Sequence, residues 1–273
     1  MAQRTKAYFI AKFIANYVVQ HQDMQDLAES ALFYTDDVGY DYYLKCLISP
    51  DIPLTVIDLA SMQILKLPNI SNQNPTTLIA TNNLLTSFDF LDNFVMLEDL
   101  RLGQNHLSTF NYIGAGNNLL YLDLDDNLFS SFTLPFAFVH LQFFHIKYNA
   151  LTSLGISDAC VALSDFACTG NQLTSILLYD TMTNLVTLDL RFNFITDFTS
   201  HLEWTSIIAV DLHDNALTTL GIEHTLVGLA ATGQPVTVNV DAGTNASHAT
   251  WTPAALAAEI TIVANGGTVV SNP

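Results

Sequence analysis

From residue 83 onward the polar and apolar positions of this chain repeat every 22 residues. Asparagines stand at Asn83, Asn105, Asn127, Asn149, Asn171, Asn193 and Asn215, each 22 residues after the one before. Apolar residues keep fixed offsets from each of them. Around Asn105 they are Leu97, Leu100, Leu102, Leu107 and Phe110; around Asn127 they are Leu119, Leu122, Leu124, Phe129 and Phe132. Around Asn193 and Asn215 the sets are Leu185, Leu188, Leu190, Ile195, Phe198 and Ile207, Val210, Leu212, Leu217, Leu220. Two apolar residues that flank a single residue point to the same face of an extended strand, because strand side chains alternate. The spacing L-x-x-L-x-L-x-x-N therefore predicts one short strand per repeat, with its leucines inside a stacked coil. The asparagine falls where the chain leaves the strand, and its amide can satisfy backbone groups that the turn would otherwise strand in the core. Loss of one such amide is expected to cost roughly 1–3 kcal/mol.

The pattern fades at both ends. Upstream, Leu54, Ile57, Leu59, Met62, Ile64 and Leu67 make a degenerate first coil with Met62 at the Asn position, as expected of a terminal repeat. Phe166 and Cys168 replace leucines in the coil that ends at Asn171. Downstream, a short helix is expected from Ile222 to Gly233, and Val236, Val238 and Val240 alternate as a strand. A second helix is expected to start at Thr252-Pro253, with Leu256, Ile260 and Val263 on one face. Asn265-Gly266-Gly267 should stop it before Thr268-Val270. The division expected is 1–50, 51–221 for the repeat body, and 222–273 for an α/β cap. Within 1–50, two apolar stripes predict a helical hairpin: Phe9, Ile10, Phe13, Ile14, Tyr17 and Val18, then Met24, Leu27, Ala28, Ala31 and Leu32. An aromatic stretch with Tyr40, Tyr42 and Tyr43 follows, suited either to contacts or to the junction with the first coil.

This repeat resembles the leucine-rich-repeat family of the 22-residue type over about residues 54 to 243. The resemblance implies a solenoid with a parallel β-sheet on one side and short turns or 3₁₀ segments on the other. Two further likenesses concern the ends. Arg4-Thr5-Lys6, an apolar helix, a polar turn and Asp26-Leu27 leading to Ser30 resemble the N-terminal segment of many tailed-phage fibre and virion proteins. The run from Asn215-Ala216-Leu217-Thr218 through Gly243-Thr244-Asn245-Ala246 to Gly267-Thr268-Val269 resembles the end of repeat proteins common in bacterial and phage genomes.

Composition narrows the chemistry. Acidic residues number 26 against 8 basic ones, a formal charge of −18, and the basic residues do not cluster, which disfavours nucleic acid. Cys46, Cys160 and Cys168 have no metal spacing and no even-numbered disulfide framework; buried free thiols are expected. The apolar stretch from Tyr8 to Val19 is interrupted by Lys12 and Asn16 and lacks a small-residue cleavage site. With no longer apolar run in the chain, a soluble, unexported protein without membrane contact is expected. Asn69-Ile70-Ser71 and Asn245-Ala246-Ser247 match the glycosylation pattern but mean little without export.

No nucleophile elbow, phosphate loop, zinc-ligand or dinucleotide motif occurs, so no catalytic residue, cofactor or metal is expected. His145 and His213 fall on outward strand positions and read as solvated. The candidate binding surface is the inner (concave) strand face, formed by the residues between the buried leucines. These are Asp99, Arg101, Tyr121, Asp123, Asp125, Phe143, His145, Lys147, Asp165, Asp189, Arg191, Asp211 and His213. Eight strands about 4.8 Å apart would make a sheet nearly 40 Å long, large enough for a protein or a glycan. Tyr121 and Phe143 should sit side by side among carboxylates, as in many interfaces. Asp123, Asp125 and Asp126 form a Ca²⁺ alternative. The function expected is that of a structural protein in a tailed-phage virion, assembled in the host cytoplasm. Its hairpin would dock to other virion proteins in an oligomeric particle, and its concave face would meet a receptor or glycan. The alternative is a bacterial surface or effector protein that binds a host protein or glycan.

Overall fold

A computed structural model describes residues 55–273 except 62, 68–74, 90–93, 113–117 and 135–137. The expected hairpin, Tyr40, Tyr42, Tyr43, Cys46, Leu54, Met62 and the Asn69 triplet lie outside the described residues. The chain winds as a solenoid in which every coil lays one strand on a common parallel sheet. In order these strands are β1 (Val56–Asp58), β2 (Thr77–Ile79), β4 (Asp99–Arg101), β6 (Tyr121–Asp123), β8 (Phe143–His145), β10 (Asp165–Ala167), β11 (Thr187–Asp189) and β12 (Ala209–Asp211). The cap extends the same sheet with β13 (Thr237–Val240) and β14 (Thr268–Ser271), giving ten strands. Register is fixed at one repeat per strand: Leu100 lies opposite Leu122, Leu122 opposite Phe144, Phe144 opposite Phe166. Because the period is constant, equivalent side chains stack in columns along the axis.

The central residue of each repeat strand is buried, and its two neighbours face the other way. Leu100, Leu122, Phe144, Phe166 and Leu188 thus form one internal column, each at most 1% exposed. Full burial of such a side chain stabilises by about 1.5–3 kcal/mol. Phe144 and Phe166 stack with centroids 5.6 Å apart, so the departure from leucine on the coil ending at Asn171 is absorbed by ring stacking. Cys160 and Cys168 are buried free thiols, as expected.

The side opposite the main sheet uses turns and very short strands. β3 (Ser87–Phe88) pairs with β5 (Thr109–Phe110), and β7 (Ser131–Thr133) pairs with β9 (Ser153–Gly155). The chain then turns back toward the sheet through i→i+3 bonds, as from Leu141 N to Phe138 O and from Ile207 N to Trp204 O. Buried apolar side chains at Phe94, Phe138, Cys160, Met182 and Trp204 anchor the last such turn before the strand in the five coils where it is described. A 22-residue coil is too short for a full outer helix, and none occurs among the described residues of the repeats.

The asparagines form the expected ladder. Nδ2 of Asn105 donates to Leu102 O of its own coil (2.9 Å) and Ala80 O of the previous one (2.9 Å), while Oδ1 accepts from Leu85 N (3.1 Å). The same three partners recur for Asn127, Asn149, Asn171, Asn193 and Asn215. Asn83 opens the series against Leu59 O and Ile64 N. Asn245 is an additional rung that the 22-residue spacing missed, because a helix lengthens the preceding coil. Its amide donates to Leu212 O and Val240 O and accepts from Leu217 N. Asn245 is 5% exposed and committed to backbone, so the folded protein offers no glycosylation acceptor there.

Each of the seven asparagines at the 22-residue spacing is preceded by a residue at positive φ: Asn82, Gln104, Asp126, Tyr148, Gly170, Phe192 and Asp214. This left-handed residue swings the chain out of the strand, and glycine is required only once. A Cβ on Gly170 would lie 2.5 Å from the Tyr148 ring, which covers that position.

The cap departs from expectation in three details. Helix α1 spans Thr219–Ala231, starting earlier than expected, with Thr218 as N-cap accepting from Gly221 N. Leu220, expected in the repeat core, therefore sits on the helix and is exposed. Helix α2 spans Pro253–Ala264, starting at Thr252-Pro253 as expected, with the Thr252 hydroxyl accepting from Ala255 N. However, its buried face is Ala255, Ala258 and Ile262. Leu256, Ile260 and Val263 do share a face, but the outer one: Ile260 is 69% and Val263 55% exposed, with only Leu256 partly packed against the core. The small side chains lie inward because α2 packs closely on α1 and β14.

Candidate functional site

Residues flanking the buried centre of each strand form a face that no other element covers among the described residues. All thirteen candidate residues lie on it, at or just beyond the strands of six successive repeats. β4 supplies Asp99 and Arg101, β6 Tyr121 and Asp123, β8 Phe143 and His145, β10 Asp165, β11 Asp189, and β12 Asp211. Asp125, Lys147, Arg191 and His213 follow two residues after their strands.

An aromatic cluster occupies the middle. Tyr121 and Phe143 are register partners with ring centroids 5.9 Å apart. The Arg101 guanidinium lies 5.0 Å over the Tyr121 ring and is held there by a bidentate bond to Asp99 at 2.8–3.2 Å. Phe143 is the exposed ring of the pair, whereas Tyr121 is half-buried under Arg101. The Tyr121 hydroxyl meets His145 Nδ1 at 3.4 Å, and His145 Nε2 meets Asp165 Oδ1 at 3.2 Å. With its proton on Nε2, His145 accepts from the tyrosine and donates to the carboxylate in one arrangement.

The expectation that His145 and His213 are simply solvated is corrected: each is fixed by carboxylates. His213 Nδ1 bonds Asp241 at the end of β13, and Nε2 lies 2.8 Å from Asp214. This contact ties the last repeat to the cap. Cations are committed likewise: Lys147 to Asp125 at 3.0 Å, Arg191 to Asp189 at 2.7 Å and to Asp211 at 3.5 Å. The Ca²⁺ alternative finds no support in this geometry. Asp125 spends both oxygens on Lys147, its side chain and its backbone N–H, and no three His, Cys, Asp or Glu residues among those described converge as metal ligands.

The electrostatics follow from these partners. The hydrogen bond from His145 holds the Asp165 carboxyl below the usual carboxylate range. Burial works against the Asp189 carboxylate, but its hydrogen-bond partners, Arg191 first and then Thr169, together outweigh it and keep that pKa low. Burial wins at Asp123, whose pKa is pushed up. The Tyr121 hydroxyl is raised by burial first and then by Asp123. Sequence reasoning found the columns but missed these cross-strand pairs, which depend on side-chain reach between coils. A pairing signal was present: each residue lies 20 to 28 positions from its partner.

With an open parallel sheet, an asparagine ladder and 22-residue coils in place, the architecture is decided. The fold is a leucine-rich-repeat solenoid. Solved structures agree. YopM from Yersinia enterocolitica WA-314 superposes with a TM-score of 0.52 at 17% identity over 78% of this chain and 42% of that one. YopM from Yersinia pestis, described as a leucine-rich effector protein, gives 0.50 at 17% identity over 78% and 54%. A chain of the octameric complex of Latrophilin 3, Unc5D and the leucine-rich-repeat protein FLRT2 gives 0.50 at 15% identity over 77% and 73%. The chain thus spans about half the length of the Yersinia proteins it matches. No protein-family model and no curated protein sequence matches it. No helix among the described residues of this leucine-rich-repeat chain is long and apolar enough to cross a membrane.

Proposed function

We propose that this protein is a non-enzymatic binding scaffold that takes a protein partner on its open sheet face. The observation that carries the reading is the cluster of Arg101, Tyr121, Phe143 and His145, in which hydrogen bonds hold Arg101, Tyr121 and His145 and ring contact with Tyr121 holds Phe143, on a face that no element of the described chain covers. Rigid aromatic and arginine side chains cost little entropy to immobilise and dominate interface energetics. Around the cluster, six aspartates (Asp99, Asp123, Asp125, Asp165, Asp189, Asp211) face three cations (Arg101, Lys147, Arg191), so the complementary surface is basic at its rim. The likeness to bacterial effector proteins supports the reading as a bacterial interaction protein. A place in a tailed-phage particle rests on the sequence likenesses of the N-terminal segment and of the run from Asn215 to Val269, and gains no support from the solved structures named above. The interaction-protein reading therefore stands ahead of it.

The test is affinity capture with the full chain, comparing Tyr121→Ser/Phe143→Ser with Leu177→Ser, an exposed leucine on an outer connection. The face double variant should lose its captured protein and keep its melting temperature, while the outer variant keeps both. Capture that survives the double substitution, or is lost only with the outer one, would contradict the proposal. Capture of glycan by the wild-type chain with no protein partner would replace it.

A further inference from the structure

Five of the six candidate aspartates on the open face hold a basic or imidazole side chain. Asp99 holds Arg101, Asp125 holds Lys147, Asp165 holds His145, and Asp189 and Asp211 share Arg191. Asp123 is the sixth, and it makes no ion pair among the described residues. Distance from basic groups is not the reason. In register Asp123 lies between Arg101 and His145 of the neighbouring strands. Both turn away from it: the Arg101 guanidinium bonds Asp99 and lies over Tyr121, and the two ring nitrogens of His145 meet Tyr121 and Asp165. Lys147 is committed to Asp125 at 3.0 Å.

Gly103 fixes where this carboxylate lies. The neighbouring coils carry Thr81 and Asp125 at the position of Gly103. A Cβ on Gly103 would stand 3.0 Å from Asp123 Oδ2 and 3.1 Å from Oδ1, so the glycine leaves the space into which the carboxylate folds. Oδ1 accepts the Asp125 backbone N–H at 2.9 Å, which sets the orientation. That bond uses only part of the acceptor capacity of a carboxylate. Burial first, and then the charge of Asp125, push the Asp123 pKa up against that bond, as expected of an anion that lacks a counter-charge. The face therefore compensates every candidate carboxylate except the half-buried one beside its aromatic cluster.

We propose that Asp123 receives one lysine or arginine side chain of the protein partner, whose aliphatic stem lies along the Tyr121 and Phe143 rings while its head meets the carboxylate. Tyr121 and Asp123 are alternate residues of β6 and share the face, and Phe143 is the register partner of Tyr121. Long basic side chains bury their stems on apolar surface and keep the charge at the tip, which matches rings beside a lone carboxylate. A bond between two charged groups is also shorter and stronger than a neutral one. A metal ion is the poorer occupant, since no three His, Cys, Asp or Glu residues among those described converge as ligands. The inference rests on the use of the open face proposed above and adds the chemistry of the residue that anchors there.

A phage-displayed library of random dodecapeptides, selected on the full chain at physiological salt, supplies the probe. Selected peptides should carry Lys or Arg next to apolar residues. Asp123→Asn keeps an acceptor for the Asp125 N–H and removes only the charge, so far-UV circular dichroism should be unchanged and the melting temperature no lower than that of wild type. It should weaken the tightest synthetic peptide about 10- to 100-fold. Asp180→Asn makes the same charge change on an exposed outer connection and should have less than about a 2-fold effect. Replacing the basic residue of the peptide by Gln should cost as much on wild type and almost nothing further on Asp123→Asn. Additive losses, or selected peptides without Lys or Arg, overturn the proposal, as does a wild-type chain that selects no peptide. Binding lost in Tyr121→Ser/Phe143→Ser but indifferent to Asp123→Asn overturns it and leaves the open face standing as the binding surface. Binding indifferent to both variants contradicts both.

Discussion

Replacing Asn127 by alanine isolates one rung of the ladder, and the hydrogen-bond geometry gives the size of the effect. The Asn127 amide donates to Leu102 O and Leu124 O at 3.1 Å each and to Asp125 O at 3.0 Å, and accepts from Leu107 N at 2.9 Å. The three carbonyls are shared: Leu102 O also receives Asn105 Nδ2, Leu124 O also receives Asn149 Nδ2, and Asp125 O also receives the Gln104 N–H. Alanine therefore orphans a single buried group, the Leu107 N–H, at about 1–3 kcal/mol, and removes three bonds whose acceptors keep another donor. The expected total is about 2–4 kcal/mol, larger than a surface substitution and smaller than the sum of four orphaned groups. Urea unfolding followed by far-UV circular dichroism measures the loss, and hydrogen exchange should show the Leu107 amide opening first. Asn127→Asp should be worse at neutral pH, since it turns a carboxylate toward three carbonyls. It should recover as pH falls, because a carboxyl with a raised folded pKa gains stability on protonation. A loss below about 0.5 kcal/mol for the alanine variant, with Leu107 still protected, would show that the ladder amides are not structural.

Other consequences can be measured on the same material. Gly170→Ala should destabilise by about 1–2 kcal/mol, since φ is +69° and the added Cβ meets the Tyr148 ring; the loss should shrink in a Tyr148→Ser background. His213 has its pKa raised above the usual 6.5 by its bond to Asp241, with Asp214 contributing. Its stabilisation of the cap is therefore complete below that value and fades as pH rises through the folded pKa. The thermal advantage of wild type over His213→Asn should shrink toward alkaline pH, and an advantage that grows would refute the assignment. Burial raises the Cys160 and Cys168 thiols, so an aromatic disulfide reagent should label them only on unfolding.

The repeat body was legible in the amino acids because its information is periodic. A strand of three residues is a weak signal, but Asn83 to Asn215 at one spacing fixes where every strand ends and which face each leucine takes. Legibility failed where the period broke. Asn245 is a rung by every bond it makes, yet it follows Asn215 by 30 residues because α1 was inserted between them. Leu220 holds a repeat position in sequence and a helix position in space. In α2 the helical spacing of Leu256, Ile260 and Val263 was real, but periodicity reports that a stripe exists and not what covers it. On the open face, the residues that point outward were legible from alternation alone. Pairings such as His145 with Asp165 and His213 with Asp241 join different coils and needed coordinates. The left-handed residue before each asparagine left no hydrophobic trace, and only Gly170 among the seven is a glycine.

On the proposed function, a partner sits on the open sheet face. Hydroxyl-radical footprinting of the full chain, free and with its captured partner, tests that directly. Tyr121 and Phe143 should become protected while the exposed Leu177 and Leu202 of the outer connections keep their reactivity. Protection confined to the outer leucines, with both rings still oxidised at the free rate, would contradict the account.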